Sequence, residues 1–214
     1  MRILTLDSAL ARCSAALVED GVVMAERVQD AARGHAALLP VMAEDVMAAG
    51  TPEAIAVTVG PGSFTGIRAG LALAHGIALG AGVPVIAVTV GEALSFALPP
   101  LPGRVLWTAT DSRRGRVFLE IEGNVTACDL TALPRPAGPV ALAGDAGHIV
   151  AAWLAARDCD VMLTNARLPT PAGIAAAAVA RANGHLPPLD AQPLYIDPPE
   201  AKLPAGGLRP PPVA

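Results

Sequence analysis

The first thirty residues alternate short apolar runs with polar breaks: ILTLD, CSAALVED and, after Asp20 and Gly21, VVMAERVQD. Asp-Gly between β-rich runs is a hairpin signal, because glycine takes the left-handed backbone that a two-residue turn needs. Three consecutive, mostly antiparallel strands are therefore predicted. Over residues 35–49 the period changes, and Leu38, Leu39, Met42, Val46 and Met47 return to one side at three- and four-residue steps, which predicts a helix. Pro40 fits such a helix only in its first turn or at a kink, since proline has no N–H to donate. AIAVTV at 54–59 reads as a buried strand, 66–79 as a helix and 83–90 as a further strand.

After a Pro-rich junction at 98–102 the pattern begins again. RVLWTATD is a strand ending in an acid, as ILTLD is; RVFLEIE follows an Arg-rich turn, VALAG is a short third strand, 148–157 is helical, and 174–183 is an Ala-rich helix stopped by Gly184. Two strands that end in aspartate and each open one half of the chain suggest a diverged duplication. The expected division is a lobe at 1–100, a second at 101–204 and a frayed Pro-rich tail at 205–214. From residue 186 onward the chain holds nine of its 21 prolines, so that stretch should be extended and irregular.

Composition narrows the class. With 53% apolar residues, 16% charged and a net charge of −4, the chain is not intrinsically disordered. Aromatics make up only 3%, so the core must be built from Val, Leu, Ile and small residues, with backbones packed closely. The 22 residues 69–90 carry His75 as their one strongly polar side chain, long enough to span a bilayer. Gly80, Gly82 and Pro84 divide that run, so it reads as a helix followed by a buried strand, with no membrane partner. Asp7 interrupts the first apolar run, unlike a signal peptide. Cys13, Cys128 and Cys159 are far apart and read as reduced thiols of a cytoplasmic protein. The first hundred residues carry five Arg and nine acids and the remainder is balanced, so contact with a polyanion would have to be local.

Several residues could carry chemistry. Asp7 and Ser8 close the first strand and Ser14 opens the next; an acid beside hydroxyls at a strand end can hold a Mg-nucleotide or simply turn the chain. Asp111 is the corresponding acid of the second half. GPGSFTGIRAG at 60–70 makes a tight turn in which Ser63 or Thr65 can cap a helix, and it is no Walker loop, since no Lys follows the last glycine. Beyond it Gly66, Gly70, Ala74 and Ala78 form a stripe of minimal side chains, suited to close packing onto the sheet or onto another subunit. His35 has Leu39 four residues on rather than a second histidine, and His75 is solitary, so no metal pair is visible. RRGR at 113–116 fits RNA phosphates or a solvated turn, and GDAG at 144–147 fits an adenosine or a turn.

In order along the chain, MRILTLDSALARCSAAL, GHAALLP, VGPGSFTGIRAGLALAHGIALG, TATDSRRGRVF and PLYIDPPEAKLP resemble the signatures of the TsaB (YeaZ) family. The resemblance implies an α/β fold of the actin/Hsp70/sugar-kinase (ASKHA) type, two ribonuclease-H-like lobes with mixed sheets. It also implies a non-catalytic subunit for threonylcarbamoyl transfer to adenosine in tRNA, docking on a TsaD-type catalytic homologue, with a TsaE-type ATPase reached through the complex. A homodimer is implied when the partner is absent, and contact with tRNA only indirectly or weakly. The implied docking surface is the pair of helices that carry His35, Leu38, Leu39, Met42, Gly66, Arg68, Gly70, Ala74, His75 and Ala78. No cofactor is firmly implied; ATP or ADP with Mg at the subunit junction is the one the pocket of Asp7, Ser8, Ser14 and Asp111 would take. The alternative is an independent Mg/ATP-dependent kinase or ATPase of the same fold. Ile196 and Asp197 after Tyr195 depart from the family's usual Leu-Arg, and Lys202 is the single lysine.

Overall fold

A computed structural model describes residues 1–30, 34–112 and 115–196. The opening meander forms as its pattern predicts: β1 (Arg2–Asp7), β2 (Arg12–Glu19) and β3 (Val22–Asp30) are antiparallel neighbours, and Asp20 and Gly21 turn with positive φ. α1 (His35–Met47) leads to β4 (Ala54–Thr58), parallel to β1, and α2 (Phe64–Ala81) leads to β5 (Val85–Val88), parallel to β4. The sheet order is β3-β2-β1-β4-β5.

After α3 (Val90–Phe96) the chain repeats this path with β6 (Val105–Asp111), β7 (Val117–Ile121), β8 (Asn124–Cys128), β9 (Val140–Ala143) and β10 (Val161–Leu163). The second sheet runs β10-β9-β6-β7-β8, so β6 takes the place of β1, with a hairpin on one side and two parallel strands on the other. A 3₁₀ turn (Leu130–Ala132) stands where α1 stood, α4 (Gly147–Ala155) where α2 stood, and α5 (Pro171–Ala182) where α3 stood. The duplication is thus one of strand order.

Both faces of the first sheet are covered. Leu4, Leu6 and Leu17 pack with Leu39 and Val46 of α1 and Leu71 of α2, whereas Ile3, Ala56 and Val88 pack with Ile174, Ala177 and Ala178 of α5. α5 follows the second sheet in sequence but lies on the first, and it also packs along α3, so the two halves are tied by an exchange of helices. The second sheet packs Trp107, Leu119 and Leu142 against Val150 and Leu154 of α4.

Two departures from the sequence reading have physical reasons. The strand read over 83–90 stops at Val88, because the Thr89 hydroxyl and the Glu92 carboxylate form a reciprocal capping box that starts α3. Pro40 lies in the interior of α1 on its exposed side, where water can satisfy the carbonyl left without a donor. The apolar run at 69–90 is split as expected into a helix and a strand. α2 is long and apolar enough to cross a membrane by length and composition, yet here its Gly66, Ile67, Gly70, Leu71, Ala74 and Ala78 face the sheet and α1. The tail predicted at 205–214, Lys202, and the Arg113 and Arg114 half of the RRGR turn lie outside the described residues.

Candidate functional site

Asp7 closes β1 at the centre of the first sheet and has no solvent exposure. Its Oδ1 accepts hydrogen bonds from the Thr58 hydroxyl at 2.5 Å and the Ala9 amide at 3.0 Å, while Oδ2 has no hydrogen-bond partner. Burial pushes the carboxyl above its ordinary value, and those bonds, with His35 nearby, offset this only in part. Ser14 lies opposite Asp7 on β2, its hydroxyl likewise without a partner, and Ser8 donates to the Gly66 carbonyl at 2.8 Å.

What encloses this corner is the GPGSFTG turn. The Ser63 amide donates to the Ala9 carbonyl at 2.7 Å, and the Ser63 hydroxyl caps α2 at the Gly66 amide. A Cβ on Gly62 would stand 2.2 Å from the Ala9 oxygen, and one on Gly66 would stand 2.0 Å from the Ser8 oxygen. The glycines therefore let one backbone lie directly on another, and the loop between β1 and β2 is buried under it, with Ser8 at 1% and Leu10 at 2% exposure. The structure thus brings Asp7, Ser8 and Ser14 together inside the lobe. Asp111, unlike them, is exposed, at the end of β6, where its amide donates to Asp145 Oδ1 at 2.9 Å. A carboxyl that burial holds toward its neutral form is a poor ligand for Mg. GDAG is a turn of the same kind, since a Cβ on Gly144 would lie 2.1 Å from the Ala109 oxygen.

The residues assigned to a partner surface divide into two groups. Within this chain the stripe of Gly66, Gly70, Ala74 and Ala78 is buried, and so are His35, Leu39 and Met42. The physical reason is close internal packing: a Cβ on Gly70 would meet Ser8 Oγ at 3.0 Å, Val57 at 3.6 Å and Leu39 at 3.8 Å. Leu38 is half-buried, and Arg68 and His75 are exposed. The last two also hold the chain's final described segment: Arg68 stacks on Phe64 and donates to the Tyr195 hydroxyl at 2.6 Å, and His75 Nε2 lies 3.0 Å from the Ala191 carbonyl.

Outward of the buried stripe, α2 presents a second set of small residues. Ala72, Gly76 and Gly80 are exposed at four-residue spacing beside Leu79, which is 87% exposed, and a Cβ on Gly76 or Gly80 would meet nothing within 4 Å. Among the described residues, nothing packed against α2 requires glycine at either place. α1 adds exposed Pro40 and Val41.

A second polar cluster was not read from the sequence. Glu120 of β7, 7% exposed, faces the start of α3; its Oε1 accepts from the Thr89 hydroxyl at 3.3 Å, and its Oε2 has no partner. A Cβ on Gly91 would fall 2.0 Å from Oε2. Burial, and then the nearby Glu92, push the Glu120 carboxyl up to about 7. Glu92 is itself paired with the Arg181 guanidinium of α5. The T-x-x-E spacing at 89–92 was the available signal for the capping box; Glu120 gave none, because a charged residue in an alternating strand reads as solvent-facing.

Two copies of one strand order, each a β-meander followed by two parallel strands, with an acid at the end of each first strand, define an actin/Hsp70/sugar-kinase type fold. A family model for TsaD, tRNA N6-adenosine threonylcarbamoyltransferase, matches residues 28–120. The chain is 39% identical over 125 residues to the Escherichia coli tRNA threonylcarbamoyladenosine biosynthesis protein TsaB, a match covering 55% of this chain and 53% of that protein. It therefore aligns with about half the length of that relative. An uncharacterized protein of Mycobacterium tuberculosis is 32% identical over 215 residues, covering 94% of this chain and 93% of that one. The solved structure of YeaZ from Pseudomonas aeruginosa superposes with a TM-score of 0.72 at 25% identity, over 91% of this chain and 99% of that one. The chain belongs to the TsaB (YeaZ) family.

Proposed function

We propose that this protein is a non-catalytic subunit of the machinery that places the threonylcarbamoyl group on tRNA adenosine, and that it docks on a TsaD-type catalytic homologue through the outward faces of α1 and α2. The observation that carries the reading is the pair Gly76 and Gly80. A glycine inside a helix costs about 1 kcal/mol relative to alanine, and here no neighbour among the described residues accounts for either. Close approach by another helix gives such a position a use. The match of residues 28–120 to the TsaD family supports the choice of partner, since two chains of one ancestry can meet through equivalent helices about an approximate two-fold axis. The same face would serve a homodimer when the partner is absent, and a TsaE-type ATPase would be reached through the complex.

The test is Gly76→Leu. Copurification with the TsaD-type partner should be lost, while thermal stability is unchanged or slightly higher because leucine is the better helix former. Undiminished copurification would reject this face. Gly70→Leu serves the question poorly, since it would unpack Ser8, Val57 and Leu39. For the competing reading as an independent ATPase, the purified chain should show negligible ATP turnover; robust turnover abolished by Asp7→Ala would replace the accessory role.

A further inference from the structure

Between the second sheet and α3 lies a cavity of about 850 Å³, walled by Phe96 of α3, by Leu106 and Thr108 of β6, by Val125 of β8 and by Leu189 and Tyr195 of the final described segment. Its size is that of a small-molecule site, and most of those walls are apolar. Among the described residues, what the cavity lacks is a cation not already paired. Arg181 is matched by Glu92, and Arg104 by Asp160 at 2.8 Å, so both guanidinium groups on its wall already have carboxylate partners. Glu120 has none: it is 93% buried by its 7% exposure, one oxygen is without a hydrogen bond, and Glu122 at the rim adds a second acid. We infer that this cavity binds a small amphipathic amine, its apolar body against Phe96, Leu106 and Tyr195 and its ammonium paired with Glu120. The inference does not depend on the docking proposal.

The groups facing Glu120 fix how such binding responds to pH. From α3 come the Thr89 hydroxyl and Glu92, the latter tied to Arg181 of α5; from β6 comes Thr108, directly opposite; and the turn after β7 brings Glu122. With the carboxyl pushed up to about 7, an amine meets a mostly protonated acid at pH 6 and a mostly ionised one at pH 8. Titration calorimetry of the full chain with phenethylamine should therefore show one saturable site, several-fold tighter at pH 8 than at pH 6. Neutral 2-phenylethanol should bind at least tenfold more weakly at pH 8, and Glu120→Gln should lose the amine's advantage. Leu106→Trp, at a wall residue on the same face of β6 as Thr108, should fill the cavity and abolish binding, and it keeps the test decisive if the first variant folds poorly. Equal binding of the amine by wild type and Glu120→Gln, or no saturable binding at millimolar amine, would overturn the assignment.

Discussion

Gly66→Ala is expected to destabilise the protein by several kcal/mol, the largest effect of a single methyl group on α2. The added carbon would lie 2.0 Å from the Ser8 carbonyl oxygen and 3.1 Å from His35 Nδ1. Ser8 is at the end of a central strand, its hydroxyl is bonded to the Gly66 carbonyl, and the next residue accepts from Ser63, so neither backbone can yield alone. Ordinary overpacking costs about 1–3 kcal/mol, and a backbone-to-backbone clash at both rigid ends should exceed that. Denaturant unfolding would read the change as a lower midpoint at constant slope. Gly76→Ala, ten residues along the same helix, should instead stabilise by up to about 1 kcal/mol, because its Cβ meets nothing. A loss below about 1 kcal/mol at Gly66 would mean that the loop over Asp7 is soft, and would revive a nucleotide pocket there.

That contrast shows what the sequence made legible. Local periodicity was enough for the meander, α1, α2 and the repeat of strand order, because each of those segments keeps one period along its length. It gave the stripe of Gly66, Gly70, Ala74 and Ala78 as a close-packing surface but not the direction it faces. Direction depends on what lies across the helix, here Ser8, Val57 and Leu39, residues far away in sequence. Asp7 was legible as a strand-end acid; its complete burial was not, since the lid over it comes from residues 60–66. Strands β8 and β10 were missed for different reasons. β10 is three residues long, whereas β8 follows the turn at Glu122 and Gly123, both at positive φ, a hairpin signal left unused. Glu120 was missed because alternation names a face without naming what covers it.

Glu120 also sets the expected dependence of stability on pH. Its ordinary value of 4.5 applies to the unfolded chain, and in the folded protein the carboxyl is pushed up to about 7. Between those values the native state holds a proton that the unfolded state has released, so stability falls as pH rises through the window. The contribution is fully present below pH 4.5 and lost above 7, a total of about 3 kcal/mol at 1.36 kcal/mol per pH unit. Asp7, also pushed up by burial, acts with the same sign at the acid end. Glu120→Gln keeps the shape of the protonated side chain and cannot ionise. It should match the wild type near pH 5 and exceed it by about 2–3 kcal/mol at pH 8, and its remaining slope across the window should be shallower than the wild type's. Unfolding curves for the two proteins at pH 5, 6.5 and 8 would measure this. A constant difference across the three would show that Glu120 ionises freely in the folded state, and would take away the buried acid on which both the pH response and the amine site depend.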